Sequence, residues 1–263
     1  MAQLFIRDII EHLTTPKLDM PDTVDGLLYG NPDESVTGIG TTHVATQETV
    51  ERARAMGINF LITHEGIYFM HRGSHPGIES DPVWQDKDRA IRESGVTIFR
   101  DHDHIHRYQP DLITIGLLER LGWEGYETTR HPAMSIVEIP EISVLALAEH
   151  VKERLGLRAL RFIGEDAQTI RRIALFVGYR GNGTMPLMLR DPVDAVLYGE
   201  GFEWETPEYF RDAVWQGKRK ALFVLGHAES EMPGMEALAR RLQERFPDVP
   251  VRFLEQACTF RIL

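Results

Sequence analysis

The chain has 263 residues, 43% of them hydrophobic, and its 40 acidic against 29 basic side chains give a formal charge of −11. That size suits one large α/β domain or two intertwined smaller ones, and the acidic balance disfavours broad capture of nucleic acid through its phosphates. A single cysteine, Cys258, excludes an internal disulfide framework and any Cys-rich zinc or iron–sulfur site, so a bound metal has to use His, Asp and Glu, and a reducing, cytoplasmic setting is expected.

The N-terminal "LFIRDIIEHLT" repeats apolar residues at helical spacing until Pro16, and Arg7 and Asp8 inside that pattern are unlike a secretory signal. No stretch approaches the roughly 20 apolar residues of a membrane span, so no membrane partner is expected. "VDGLLYGNPDESVTGIGTTH" mixes short β-type runs with a turn, "TQETVERARAM" predicts a helix ended by Gly57, and "FLIT" predicts a buried strand that runs directly into His64 and Glu65. "DKDRAIRESG" reads as a helix and "VTIFR" as a strand, with "DHDHIH" beginning where that strand ends. Ligand-bearing loops in α/β sheets lie at such strand ends.

Farther on, "LITIGLLERLGW" and "SVLALAEHVKERLG" are predicted helices, the second capped by Ser143 and ended by Gly156. "RRIALFVG" reads as a strand, "YRGNGT" as a Gly-rich turn, "DAVLYGEG" as a strand, and "KALFVLGHAESEMPGMEALARRLQERF" as a strand leading to a long helix, with a last strand in "VPVRFLEQ". Alternating strands and helices predict a layered α/β fold as a single domain over 1–263, with a soft internal division near 130–140.

Six of the eleven histidines fall between His64 and His106. Such His-rich tracts point compositionally to metal. In "DHDHIH" a β conformation puts His102, His104 and His106 on one face, whereas a helical start brings His102 and His106 together and leaves His104 out. The plain alternative is a polar loop. "THEG" places His64 and Glu65 at the end of a buried strand, where an ordinary strand-to-loop transition would look alike. "GHAESE" sets His227 and Glu231 four apart, on one face if a helix begins there; the alternative is a helix start at "SEMPG" with Ser230 as cap and Pro233 in the first turn. Three strand ends, each with a histidine and a second donor, suggest a dinuclear site. Imidazole and carboxylate donors without cysteine suit Zn, Fe, Mn, Co or Ni.

The order "TVDGLLYG", "FLITHEGIYF", "FRDHDHIH…LLERLGW", "DAVLYGEG", "VLGHAESE" resembles the NIF-three-like family over nearly the whole chain. Members of that family bind two metal ions and are often named GTP cyclohydrolase I type 2. The resemblance implies a layered α/β fold of two intertwined units, a ring-like homo-hexamer, and two divalent ions per subunit held by His64, Glu65, His102, His106, His227 and Glu231. The third motif matches through His227 and Glu231. In the first, Glu65 stands where the family has a second histidine, and in the second His106 stands where it has a ligating aspartate, a reciprocal exchange that conserves the donor count; Asp101 or Asp103 is a substitute carboxylate if the loop shifts by a residue. The histidine commonly found shortly after the family's "TGE" is absent after "YGE". Phe202 and Trp204 there either stack on a substrate ring or pack.

The expected function is metal-dependent hydrolysis of a small, nucleotide-like molecule, with Glu200 as candidate proton shuttle. No Walker-type loop accompanies it. The alternative from a different class is a non-catalytic metal-binding scaffold or metal-trafficking protein.

Overall fold

The computed structural model describes residues 3–132, 134–180 and 183–263. The Gly-rich turn read at 179–184 includes Gly181 and Asn182, which lie outside the described residues. Backbone contacts divide the chain into two compact units, one of residues 1–112 and 235–257 and the other of residues 113–234 and 258–263. Residues 113–234 of the second unit are thus inserted within the first along the sequence. The division falls at Leu112, ahead of the 130–140 stretch expected from sequence, because the helix starting at Leu112 and the hairpin after it group with the second unit.

In chain order the first unit contains α1 (Ile6–Leu13), β1 (Gly26–Tyr29), β2 (Ile39–Thr42), α2 (Gln47–Ala55), β3 (Phe60–Thr63), α3 (Pro82–Ser94), β4 (Thr97–Arg100) and α4 (Asp103–Arg107). α2 begins because the Thr46 side chain accepts the Thr49 N–H, and it buries Val50 and Ala53. α3 begins at Asp81, whose carboxylate accepts the N–H groups of Val83 and Trp84, and it stops at Gly95, whose φ of 69° suits a residue without Cβ.

α5 (Leu112–Leu121), β5 (Glu127–His131), β6 (Met134–Ser143), α6 (Val144–Arg154), β7 (Arg161–Ile163), β8 (Thr169–Tyr179), α7 (Thr184–Arg190), β9 (Ala195–Glu200), α8 (Thr206–Trp215) and β10 (Ala221–Val224) follow. α9 (His227–Arg245) then carries the chain back to the first unit and its last strand, β11 (Val251–Phe253).

The first sheet has the order β1-β4-β3-β2-β11, with only β1 antiparallel to its neighbour. β2, β3 and β4 are buried at every position. Burial on both faces explains why they read as short apolar or β-branched runs with no alternation. Leu61, Ile98, Val50, Ala53 and Ile91 share one core cluster. Thr42 pairs with Thr63, and Thr63 with Arg100, so the three parallel strands end level. Whatever follows Thr42, Thr63 and Arg100 therefore leaves the sheet at one edge.

The second sheet has the order β5-β6-β8-β9-β10-β7. β8, β9 and β10 are parallel and central, flanked by the antiparallel β5–β6 hairpin and by β7. Ile136, Phe176, Val196, Tyr198, Phe210 and Leu222 belong to its core. No helix among the described residues is long and apolar enough to cross a membrane.

Candidate metal centre

The first set of donors grows from the level ends of β3 and β4. His64 follows β3 and is fully buried. β4 ends at Arg100, and after Asp101 the chain turns into α4 rather than continuing as a strand. Of the two geometries open to "DHDHIH", the helical start is realised.

A remote carboxylate sets that start. Asp25 accepts the backbone N–H groups of His102, Asp103 and His104 at 2.6, 2.8 and 2.7 Å. Asp103 returns the contact by accepting the Val24 N–H at 3.0 Å. Capped in this way, a five-residue helix holds His102 and His106 one turn apart. His64, His102 and His106 each offer a donor atom within 4.8 Å of the others. The rings of His64 and His102 stack with centroids 4.5 Å apart, and His106 stands edge-on to both at 5.0 and 5.2 Å. His104 is 7% exposed and points elsewhere, its Nδ1 on Asp25 Oδ2 at 2.6 Å.

Hydrogen bonding fixes which nitrogen each ring presents. His64 Nδ1 donates to the Asp101 carbonyl at 3.1 Å, His102 Nδ1 to Asp103 Oδ1 at 3.0 Å, and His106 Nδ1 to Asp111 Oδ2 at 3.2 Å. An imidazole that donates from Nδ1 and is neutral carries its lone pair on Nε2, the arrangement of metal-ligating histidines. Neutrality is favoured at His102: burial first, then the neighbouring His64 and His106, lower its pKa to about 4. Three rings whose Nδ1 is engaged with an oxygen can, when neutral, offer Nε2 to a divalent cation. The fit extends to softness, since imidazole donors suit Zn, Fe, Co or Ni better than Mg or Ca.

Glu65 and His106, linked in the sequence reading as a reciprocal exchange, are placed differently. His106 joins His64 and His102, whereas the Glu65 carboxylate accepts from the Arg100 guanidinium, which is 3% exposed. Arg100 also donates to the carbonyls of His64 and His71 at 3.1 and 2.7 Å. Burial raises the Glu65 pKa, but His102 and Arg100 more than offset it and hold the carboxyl below its ordinary value. Glu65 Oε1 lies 3.6 Å from His102 Nε2, and Glu65, His71 and His102 form a further candidate group. His71 was missed in the sequence because it sits in a polar loop with no strand before it. The substitute carboxylates are committed elsewhere: Asp103 to His102 and Val24, and Asp101 to the interior, where burial and then the Asp25 charge push its carboxyl up to about 8.

The second set lies in the inserted unit. α9 begins at His227, so Ser230 lies in its first turn rather than capping it, and Pro233 lies inside the helix; the "SEMPG" helix start is corrected accordingly. The buried Ser230 hydroxyl instead accepts the Gly178 N–H at 2.9 Å and donates to the His227 carbonyl at 2.7 Å. His227 Nε2 lies 3.1 Å from Glu231 Oε2, and His227 Nδ1 lies 2.9 Å from Glu200 Oε1. A neutral imidazole donates to only one of two carboxylates, and the second contact takes another proton, on the ring or on a carboxyl, or a cation. Glu231 is buried, Glu200 half-exposed.

Glycines make room for this set. A Cβ at Gly178, whose φ is +68°, would come within 2.1 Å of Glu231 Oε1, and one at Gly199 within 2.5 Å of the Gly178 carbonyl. Phe202 stacks on Trp204 at 4.5 Å and meets Tyr179 edge-on at 5.6 Å. Trp204 remains 69% exposed, so these rings pack on one another at the surface and not in the core.

Comparison with known proteins agrees with this architecture. A Clostridium perfringens protein named "GTP cyclohydrolase 1 type 2 homolog" is 24% identical over 257 residues, covering 95% of this chain and 94% of that one. The Staphylococcus aureus hypothetical protein SA1388 has the same fold at 18% identity, with a TM-score of 0.82 and full coverage of both chains. A Bacillus cereus protein related to NIF3 superposes with a TM-score of 0.80 at 14% identity, covering 100% of this chain and 99% of its own. The family model Duf34/NIF3 (NGG1p interacting factor 3) matches residues 1–258 of the 263, and the chain belongs to that family.

Proposed function

We propose that this protein is a metal-dependent hydrolase of a small, nucleotide-like substrate. The observation that carries the reading is the clustering of His64, His102 and His106, which each donate from Nδ1 to an oxygen and whose donor atoms lie within 4.8 Å of one another. Two donor sets are proposed, His64, His102 and His106 in the first unit and His227 with Glu231 in the second, for two divalent ions per subunit. Glu65 is proposed as a further ligand beside the first set, with Oε1 3.6 Å from His102 Nε2 while Oε2 pairs with Arg100.

Divalent ions there supply Lewis acidity, which brings the ionisation of water into the neutral range and polarises an electrophilic carbon or phosphorus. The protein's own part is to orient and to move protons. Glu200, half-exposed and hydrogen-bonded to His227, is the group placed to take a proton from water and release it to solvent. The relatives' name supports a purine nucleotide as substrate class. A cytoplasmic, homo-oligomeric protein, with a ring-like hexamer as its assembly, belongs to the same proposal.

The test is metal content by elemental mass spectrometry on untagged protein, followed by incubation of the loaded protein with GTP and measurement of formate, which hydrolysis at C8 of the purine releases. About two ions per chain and metal-dependent formate release support the reading. Full loading without turnover of GTP or other nucleotides supports the non-catalytic scaffold instead.

A further inference from the structure

A further buried histidine stands at the same edge of the first sheet. His43 follows β2 as His64 follows β3, and the Thr42–Thr63 pairing brings both off the sheet at one level. His43 is 5% exposed, and its ring centroid lies 6.0 Å from that of His64 at an interplanar angle of 31°. Its main chain is tied to the first donor motif: the His43 carbonyl accepts the N–H groups of His64 and Glu65 at 3.1 and 2.8 Å and the Thr63 hydroxyl at 3.3 Å.

Metal–imidazole bonds of about 2.1 Å put the centroids of two rings on one tetrahedral ion on the order of 5 Å apart. A separation of 6.0 Å therefore suits two rings that serve one ion with modest adjustment, or two neighbouring ions. Glu65 Oε2, on the other donor along the same strand end, pairs with Arg100.

We propose that His43 is a ligand of the metal centre, a strand-end imidazole beside His64 that binds a borderline divalent cation such as Zn2+. This rests on the metal-binding reading above and adds a donor from β2 to those from β3 and α4. The two neighbouring strand ends then act as a pair, each delivering one buried ring.

The test compares the full-length wild type with His43→Gln, His43→Ala and, as a surface control, His75→Ala. Zinc affinity is read by competition with a chelating dye, and ligand number by the visible absorption of the Co2+-loaded protein. Weakening by about 10-fold or more in both His43 variants, with an altered Co2+ spectrum, supports the assignment while His75→Ala matches the wild type. Metal-free melting curves identify any variant that fails to fold. Should both do so, the wild type carries the test through imidazole 15N NMR, in which zinc must shift a His43 nitrogen; an unmoved His43 resonance overturns the assignment. A folded His43→Gln with wild-type affinity and spectrum overturns the role of His43 while leaving the metal reading intact. A wild type that binds neither zinc nor cobalt overturns both.

Discussion

Asp25 and His104 lie 79 residues apart in sequence, and Asp25 Oδ2 accepts from His104 Nδ1 at 2.6 Å. The same carboxylate takes the N–H groups of three successive residues at the start of α4, and so fixes the direction in which His102 and His106 project. Asp25 has no place among the donor groups, yet the geometry of two donors depends on it. Asp25→Ala is therefore expected to weaken zinc binding by about 10-fold, the size of effect typical of groups that orient ligands. Dye competition on the folded variant measures this, and wild-type affinity there would show that α4 keeps its place without the cap.

His104 and His106 separate orientation from ligation. His106→Ala removes a donor and should lower metal affinity by about 10-fold or more, with little change in the stability of the metal-free protein. His104→Ala leaves the donors in place but removes a buried partner of Asp25, so the metal-free protein should lose about 1–3 kcal/mol in urea unfolding while affinity falls less than in His106→Ala. Equal losses of affinity in the two variants would refute the assignment of His106 as the ligand of the pair.

Gly178 gives the second donor set its own test. A methyl group there would stand 2.1 Å from Glu231 Oε1, at a φ that side chains rarely adopt. Gly178→Ala should displace Glu231 and cost more than 1 kcal/mol of stability, lowering the number of ions bound per chain without touching His64, His102 or His106. Elemental analysis showing unchanged stoichiometry would mean that the Glu231 carboxylate is dispensable for binding.

The parallel cores were legible because buried strands leave short apolar runs: "FLIT" matches β3 residue for residue, and Ser143 and Gly156 bracket α6 as expected. The β5–β6 hairpin was not read. Its first strand alternates half-buried and exposed residues such as Glu127 and Arg130, and its second contains Pro140, so neither presents the apolar run of a central strand. At the site, spacing alone grouped His102 with His106 and His227 with Glu231, because an i to i+4 relation is local. The Glu65–Arg100 contact was not legible, since it depends on strand pairing between β3 and β4 that brings residue 100 level with residue 63. His43 carried a usable signal, a histidine directly after "IGTT", but that run of small and polar residues does not announce a buried strand.

Lys87 provides a test of packing away from the metal. It lies on the buried face of α3 with Ile91, 4% exposed, its Nζ 4.8 Å from the centre of the Phe69 ring. Burial lowers its pKa from 10.5 to about 8. Between those values the unfolded chain binds the proton and the folded chain does not, so stability rises with pH across that range and the full penalty applies below it. At ~1.4 kcal/mol per pH decade the gap corresponds to about 3 kcal/mol. Lys87→Met should therefore stabilise the protein by about 3 kcal/mol near neutral pH, and more than half of that advantage should disappear as the pH is raised to about 9.5. Urea unfolding of both proteins at the two pH values measures the difference. An advantage independent of pH would assign it to packing of the methionine and not to relief of a buried charge.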